Sequence, residues 1–269
     1  MTFLQNSKRL MSVLLLMMTA ACASTRPDVA TEAYDPLEPM NRAVFEFNRV
    51  TDRALIRPIS AAYIAVVPEA PRDGVSNVMR NLREPWVFVN DILQFKFKRA
   101  GRTLGRFLVN STVGMAGLFK VSDDMGIPYH SEDFGQTLAT WGIGDGPYLV
   151  LPFLGSSNGR DAIGFGTYFL ADPTALTLKE IDDSGKFFDL SMIRTGIDAF
   201  DARVRFHDEI NELYKEDDPY VISRSLYWQN RRHEIFDGNP PEPEEDLFDM
   251  LEEQQAEIDA EESGTQPQE

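Results

Sequence analysis

Residues 132–161 read EDFGQTLATWGIGDGPYLVLPFLGSSNGRD, and no other stretch bears as directly on the fold. Gly135, Gly142, Gly144, Gly146, Gly155 and Gly159, with Pro147 and Pro152, are interleaved with Phe134, Trp141, Tyr148 and Phe153. Glycine permits positive φ and close backbone approach, while proline fixes φ and removes a donor. A solvated linker has that glycine content but not these aromatic and branched apolar side chains. The stretch is therefore expected to be an ordered, irregular wall packed against something apolar. What it faces decides the function.

On its N-terminal side the pattern is helical. Met40, Ala43, Val44, Phe47, Val50 and Ala54 form an amphipathic stripe, expected to end or kink at Pro58. Pro68 and Pro71 bracket a turn, and a second helix is expected to open at Pro85. It runs through Trp86, Val89, Leu93 and Phe97, widened by Phe88, Ile92 and Phe95, before the basic Lys96, Lys98, Arg99, Arg102 and Arg106. Leu104 to Phe119 is strongly apolar but broken by Asn110, Ser111, Gly114 and Gly117. Such small residues let helices approach closely in lipid or in a tight core. On the C-terminal side Ile197, Phe200, Val204, His207, Ile210 and Tyr214 trace a further stripe. A last helix is expected from Asp218-Pro219, with aspartate as N-cap and proline at the first position. There is no repeat and no convincing run of alternating strands, so the predicted body is all-α.

The formal charge is −17, unevenly distributed. Residues 237–269 carry 13 acidic side chains and no basic one, which leaves −4 for the rest. A mildly acidic body with a polyanionic tail excludes nucleic acid, whose recognition begins with a basic face. The tail is expected to be disordered. At the other end Lys8 and Arg9 precede a short apolar run, Leu10 to Met18, too short to span a bilayer. Thr19-Ala20-Ala21-Cys22 follows, with the chain's single cysteine at the expected cleavage point. This predicts a signal peptide over 1–21, lipidation at Cys22 and a polar tether over 22–34. Acyl chains on Cys22 add roughly 0.8 kcal/mol of membrane affinity per buried CH₂.

The inventory for catalysis is thin. Three histidines (His130, His207, His233) sit at no metal-binding spacing. Gly142-Ile143-Gly144-Asp145-Gly146 lacks the Lys-Ser/Thr ending of a phosphate loop. Glu132 and Asp133 are adjacent, whereas a glycosidase needs two carboxylates facing one bond across several ångströms, so a structural role is favoured. Arg160-Asp161 is expected to close the glycine-rich stretch. Neither metal nor cofactor is expected. Broad apolar helix faces fit either a large core or helices lying in a membrane interface, and composition leaves both open.

Specific motifs sharpen this. Asp35-Pro36-Leu37-Glu38-Pro39-Met40-Asn41-Arg42 with Phe45, Phe47 and Asn48, and Arg106-Phe107-Leu108-Val109-Asn110-Ser111-Thr112-Val113-Gly114, occur in order. Glu132 to Leu138, Trp141-Gly142, Gly146-Pro147-Tyr148, Arg160-Asp161, and Asp218-Pro219-Tyr220 leading to Arg231 follow. Over roughly residues 34–236 the chain resembles the MlaA/VacJ lipoprotein family. The resemblance implies a lipoprotein anchored in the outer membrane and embedded from the periplasmic side, its amphipathic helices forming a ring around a polar-lined channel. Phospholipid misplaced in the outer leaflet would pass through it to a periplasmic lipid carrier of the Mla system. A trimeric porin is the implied scaffold, and no reaction is catalysed. The expected lipid path comprises Asn41, Phe45, Phe47, Asn110, Gly114, Trp141, Gly142, Gly144, Gly146 and Tyr148. Two other classes stay open: a structural outer-membrane lipoprotein that tethers partners without lipid transfer, and an anchored hydrolase using Glu132 or Asp133.

Overall fold

The computed structural model describes residues 35–174 and 187–240. The expected signal peptide, Cys22, the tether and residues 241–269 lie outside the described residues. The elements, in chain order, are α1 (Glu38–Thr51), a π-helical turn (Asp52–Ile56), α2 (Arg57–Val66), α3 (Glu69–Leu93), α4 (Phe97–Thr112) and α5 (Val121–Asp124). Then come α6 (Phe134–Thr140), β1 (Tyr148–Leu151), β2 (Gly155–Asn158), α7 (Gly159–Ala171), α8 (Phe187–Arg205), α9 (His207–Leu213) and α10 (Pro219–Ile235). The fold is helical, as expected, apart from one hairpin.

Local chemistry explains where the helices depart from expectation. Pro58 does not end the first helix. The chain widens into the π-helical turn just before it and continues as α2, because Pro58 has no N–H to give the preceding turn. Pro85 does not open a helix but lies inside α3, which begins at Glu69. Pro71 sits in the first turn of α3, where a missing N–H is tolerated. An interior proline costs about 3 kcal/mol, so α3 must be held by tertiary contacts, described below. The stripe from Ile197 to Tyr214 is split between α8 and α9 at Phe206. Helix α10 starts as expected: Asp218 accepts from Val221 N, with Pro219 in the first turn.

Residues 132–161 are more regular than an irregular wall. Asp133 caps α6 by accepting from Gln136 N at 2.9 Å. The antiparallel strands β1 and β2 pair Tyr148 with Asn158 and Leu151 with Gly155. Asn158 then caps α7, accepting from Asp161 N at 2.7 Å. Four-residue strands bounded by proline and glycine are too short to show alternation in sequence. Helices α6 and α7 cross closely through two glycines. A Cβ on Gly164 would lie 2.5 Å from Gly135 N, and one on Gly135 2.4 Å from Asp161 Oδ1.

Burial is inverted relative to an ordinary globular domain. Among the described residues 22 polar or charged residues are buried, against 8 hydrophobic ones. Met40, Phe47 and Val50, in the expected stripe of α1, are exposed, while Asn41 is fully buried. On α4 the inward face is Ala100, Thr103 and Arg106, and Leu104 and Leu108 point outward. In water, charged residues are almost never buried unless paired, and large apolar patches rarely stay exposed. The apolar faces therefore do not make a large core. The small one present gathers Tyr148, Val150 and Tyr220 with Val44, Phe45, Tyr227 and Trp228. Among the described residues no helix is long and apolar enough to cross a membrane.

Candidate functional site

Two polar assemblies occupy the interior. The first docks the hairpin onto α1. Asn41 donates to Tyr148 O at 2.9 Å and accepts from Val150 N at 2.9 Å. One heptad later Asn48 donates to Leu151 O at 3.0 Å and accepts from Phe153 N at 2.8 Å. Two side-chain amides thus complete the edge of β1 that β2 leaves open, so its backbone groups are paired without a third strand. Asn41 also donates to Asp35, whose carboxylate accepts from Tyr220 and pairs with Arg224 at 3.0 Å.

Behind the hairpin, Arg231 of α10 grips Asp133 through two hydrogen bonds, at 2.6 and 2.8 Å. Its other contacts reach Asp161 at 2.6 Å and Glu234 at 2.9 Å, and Tyr227 OH donates to Asp161 at 2.6 Å. Burial alone would raise the Asp133 carboxyl, but Arg231 and the Gln136 N–H hold it below the usual carboxylate range. Arg160 pairs with Asp145 at 2.6 Å, and Arg160 N donates to Asp145 O at 3.0 Å. This ties the 142–146 turn to the start of α7, the closing role expected of Arg160-Asp161.

The second assembly lies between α3 and α4. Arg106 donates to both oxygens of Glu84, at 2.7 and 2.5 Å, with both side chains 1% exposed. Arg106 also donates to Pro128 O and stacks over Tyr129, its guanidinium carbon 4.7 Å from the ring centre. Burial pushes the Glu84 carboxyl up to about 6 in spite of this partner. Two helical turns along, the buried Asp91 accepts from Thr103 at 2.6 Å and Arg99 at 2.8 Å, with His130 Nε2 at 3.1 Å. These hydrogen bonds hold its carboxyl low against the opposing effect of burial. Glu132 pairs with Arg99 and accepts from Gln94 at 2.5 Å. Asp237, first residue of the expected tail, pairs with Lys96 at 2.6 Å and with Arg99. These charge-assisted contacts hold α3 continuous through Pro85.

The residues expected along a lipid path fall in three places. Asn41, Phe45 and Tyr148 meet at the hairpin core, with Phe47 on its outer side, edge-on to Phe153 at 5.3 Å. Asn110 and Gly114 lie at the far end of α4, where Asn110 accepts from Ser122 N and donates to its hydroxyl. Trp141, Gly142 and Gly144 are exposed at the turn after α6, Gly146 is half-buried beside Gly159, and Trp141 Nε1 donates to Leu93 O at 3.0 Å. These three places do not converge. Sequence reading passed over Asn48, Glu84, Asp91 and Arg231 as contributors to the interior. Glu84 and Asp91 stand seven residues apart within an apolar helix, and that spacing was the available signal. His207 is half-buried beside Ser60 and Arg203 in the helix bundle. No group of His, Cys, Asp and Glu among the described residues could hold a metal ion.

An inverted fold of this kind, read with the ordered motifs, can be compared with known proteins. Residues 33–234 match the profile of the MlaA lipoprotein family. The chain belongs to the MlaA lipoprotein family. A similar MlaA relative is the Escherichia coli intermembrane phospholipid transport system lipoprotein MlaA. It is 33% identical over 229 residues, covering 83% of this chain and 86% of that one. A Rickettsia felis uncharacterized protein is 41% identical over 130 residues, 48% of this chain, and the match spans about half (52%) of that relative's length. Among solved structures, one reported as the structural basis for maintenance of bacterial outer membrane lipid asymmetry superimposes with a TM-score of 0.65. It is 32% identical and covers 76% of this chain and 99% of the other.

Proposed function

We propose that this MlaA-family protein carries phospholipid from the outer leaflet of the outer membrane toward the periplasm and so maintains lipid asymmetry. The observation that carries the reading is the inverted partition: charged and polar side chains inside, Met40, Phe47, Leu104, Leu108 and Phe153 outside. An apolar exterior suits hydrocarbon. A hydrogen-bonded, charge-paired interior offers a headgroup an environment it cannot find in lipid tails, where an uncompensated charge is costly. On this reading the protein is anchored through Cys22, sits in the membrane from the periplasmic side, and works without chemistry. It hands lipid to a soluble periplasmic carrier and stands beside a porin scaffold. Asn41, Phe45, Phe47, Asn110, Gly114, Trp141, Gly142, Gly144, Gly146 and Tyr148 are proposed to border the path.

A hydrolase reading gains nothing from the two adjacent carboxylates. Glu132 is saturated by Arg99 and Gln94, and Asp133 by Arg231 and the α6 backbone. The deciding experiment is a deletion strain assayed for phospholipid in the outer leaflet. Accumulation reversed by the wild-type gene supports the reading. An unchanged leaflet composition would leave a tethering lipoprotein as the better account.

A further inference from the structure

Near the far end of α4 a polar recess opens beside an apolar groove. The recess, about 20 Å³, is bounded by Arg80, Asn81, the Glu84–Arg106 pair, Asp123 and Tyr129. The groove, about 860 Å³, runs between the first turns of α3 (Pro71, Val75, Val78) and the Leu118-Phe119 corner. Asn77 and Lys120 border both, so the two adjoin. The groove's volume lies in the range of ligand pockets.

One wall of this recess depends on a glycine. Gly117 has φ +94°, and a Cβ there would lie 2.4 Å from Asn81 Cβ, so only glycine lets the 113–119 turn close over Asn81. Asn81 is 5% exposed. Its amide nitrogen donates to Ser111 Oγ at 2.9 Å, while its Oδ1 is buried and accepts nothing. Asn77 repeats the arrangement: its nitrogen donates to Leu118 O at 3.2 Å, and its buried Oδ1 has no donor. Unsatisfied buried acceptors are costly and uncommon, so a pair of them at one recess marks a place for an incoming donor. At the mouth, Arg80 and Lys120 have no carboxylate partner among the described residues; Arg80 only stacks near Tyr129, 5.3 Å from the ring centre.

We propose that this junction seats a glycerophospholipid and selects a primary-ammonium headgroup over a trimethylammonium one. The inference rests on the phospholipid reading and adds a location and a preference. An acyl chain lies along the apolar groove, and the phosphate sits between Arg80 and Lys120. The headgroup's ammonium enters the recess beside Asp123 and, as the covered Asn81 and Asn77 amides turn toward it, donates to their Oδ1 atoms, the Glu84 carboxylate behind them being held by Arg106. Size sets the selection. A recess of that volume holds about one water-sized group, which an –NH₃⁺ matches and a trimethylammonium exceeds. A trimethylammonium also has no N–H to give the orphaned oxygens.

The test uses the full-length lipoprotein in detergent, offered equal amounts of phosphatidylethanolamine, phosphatidylglycerol and phosphatidylcholine, with retained lipid read by native mass spectrometry. Phosphatidylethanolamine is expected to be enriched over phosphatidylcholine by about tenfold, the scale set by one unsatisfied buried polar group. Phosphatidylglycerol, with hydroxyls in place of the ammonium, should fall between. Lys120 is exposed, so Lys120→Gln keeps the fold and should lower retention of all three lipids. Asn81→Leu fills the recess and should bring the ethanolamine-to-choline ratio to about one. Equal retention of the three lipids by the wild type, or an Asn81→Leu ratio unchanged from wild type, overturns the seat while leaving phospholipid transport intact. No retained phospholipid at all would count against the transport reading itself.

Discussion

The α1–hairpin–α10 region and the α3–α4 region meet the same problem, an interior that is polar, in different ways. The first docks its hairpin with neutral amides, Asn41 and Asn48 reaching its backbone atoms beside a small aromatic core, and keeps its ion pairs to α10, where Arg231 holds Asp133 and Asp161 and Arg224 holds Asp35. The second uses full charges, Glu84 with Arg106 and Asp91 with Arg99, inside a helix pair with few buried apolar contacts. A neutral amide that loses its partner leaves a polar atom unsatisfied, whereas a buried ion that loses its partner leaves a charge. The two halves should therefore fail to different degrees and respond differently to pH.

The largest effect is expected from Arg106→Ala. It strands Glu84 without a cation and should destabilise the protein by about 3–5 kcal/mol in thermal unfolding in detergent. The double variant Glu84→Leu with Arg106→Met should recover most of that loss. A double variant as unstable as the single one would shift the weight to the Pro128 carbonyl and Tyr129 contacts of Arg106. In the amide half, Asn41→Leu removes partners from two buried backbone groups and should cost about 2–3 kcal/mol. A loss equal to that of Arg106→Ala would erase the contrast between the halves.

Acid titration sharpens the contrast. The Glu84 carboxyl is raised to about 6 from 4.5, so the folded state holds this proton more tightly than the unfolded chain. Its contribution is fully present below pH 4.5 and is lost as pH rises through 6, a change of about 2 kcal/mol. Asp91 and Asp133 are lowered, so their contribution is present above about pH 3.8, the ordinary value, and disappears on further acidification. The melting temperature should rise on acidification from pH 7 to 5 and fall below pH 4. Glu84→Gln should abolish the rise and keep the fall.

Two smaller effects mark the boundary of the interior. Asp237→Asn removes a partly exposed pairing with Lys96 and Arg99 and should cost no more than about 1 kcal/mol, less at high salt. Leu108→Asn on the outer face of α4 should leave the unfolding free energy in detergent within about 0.5 kcal/mol of wild type. It should nonetheless weaken partition into vesicles. A large stability loss there would place Leu108 in a core rather than on an exterior.

The two halves were also unequally legible. Helix α10 was marked by Asp218-Pro219, because capping is local chemistry. The hairpin was not, since Tyr148 to Leu151 is too short to show a period and its open edge is completed by side chains a hundred residues away. The amphipathic stripes of α1 and α4 were visible, yet a stripe does not say which side faces in. That sign depends on the medium, and it was decided by Asn41, Thr103 and Arg106 lying buried where the apolar residues do not. Pro85 misled because its local penalty is overridden by contacts between residues far apart in sequence, such as Arg106 with Glu84.

The docking of α1 onto β1 works as a vernier between two different rulers. Asn41 and Asn48 stand seven helical residues apart, about 10.5 Å at the helical rise. The backbone atoms they reach are displaced by three strand residues, about 10 Å at the strand rise. The two scales coincide over this interval, so one turn of agreement fixes the next. A substitution on the outer face of α1 leaves the coincidence untouched. Adding or removing even one residue between the asparagines turns the second amide by about 100° and shifts it along the axis. Chain length between these positions is therefore more tightly constrained than the identity of the side chains that fill it.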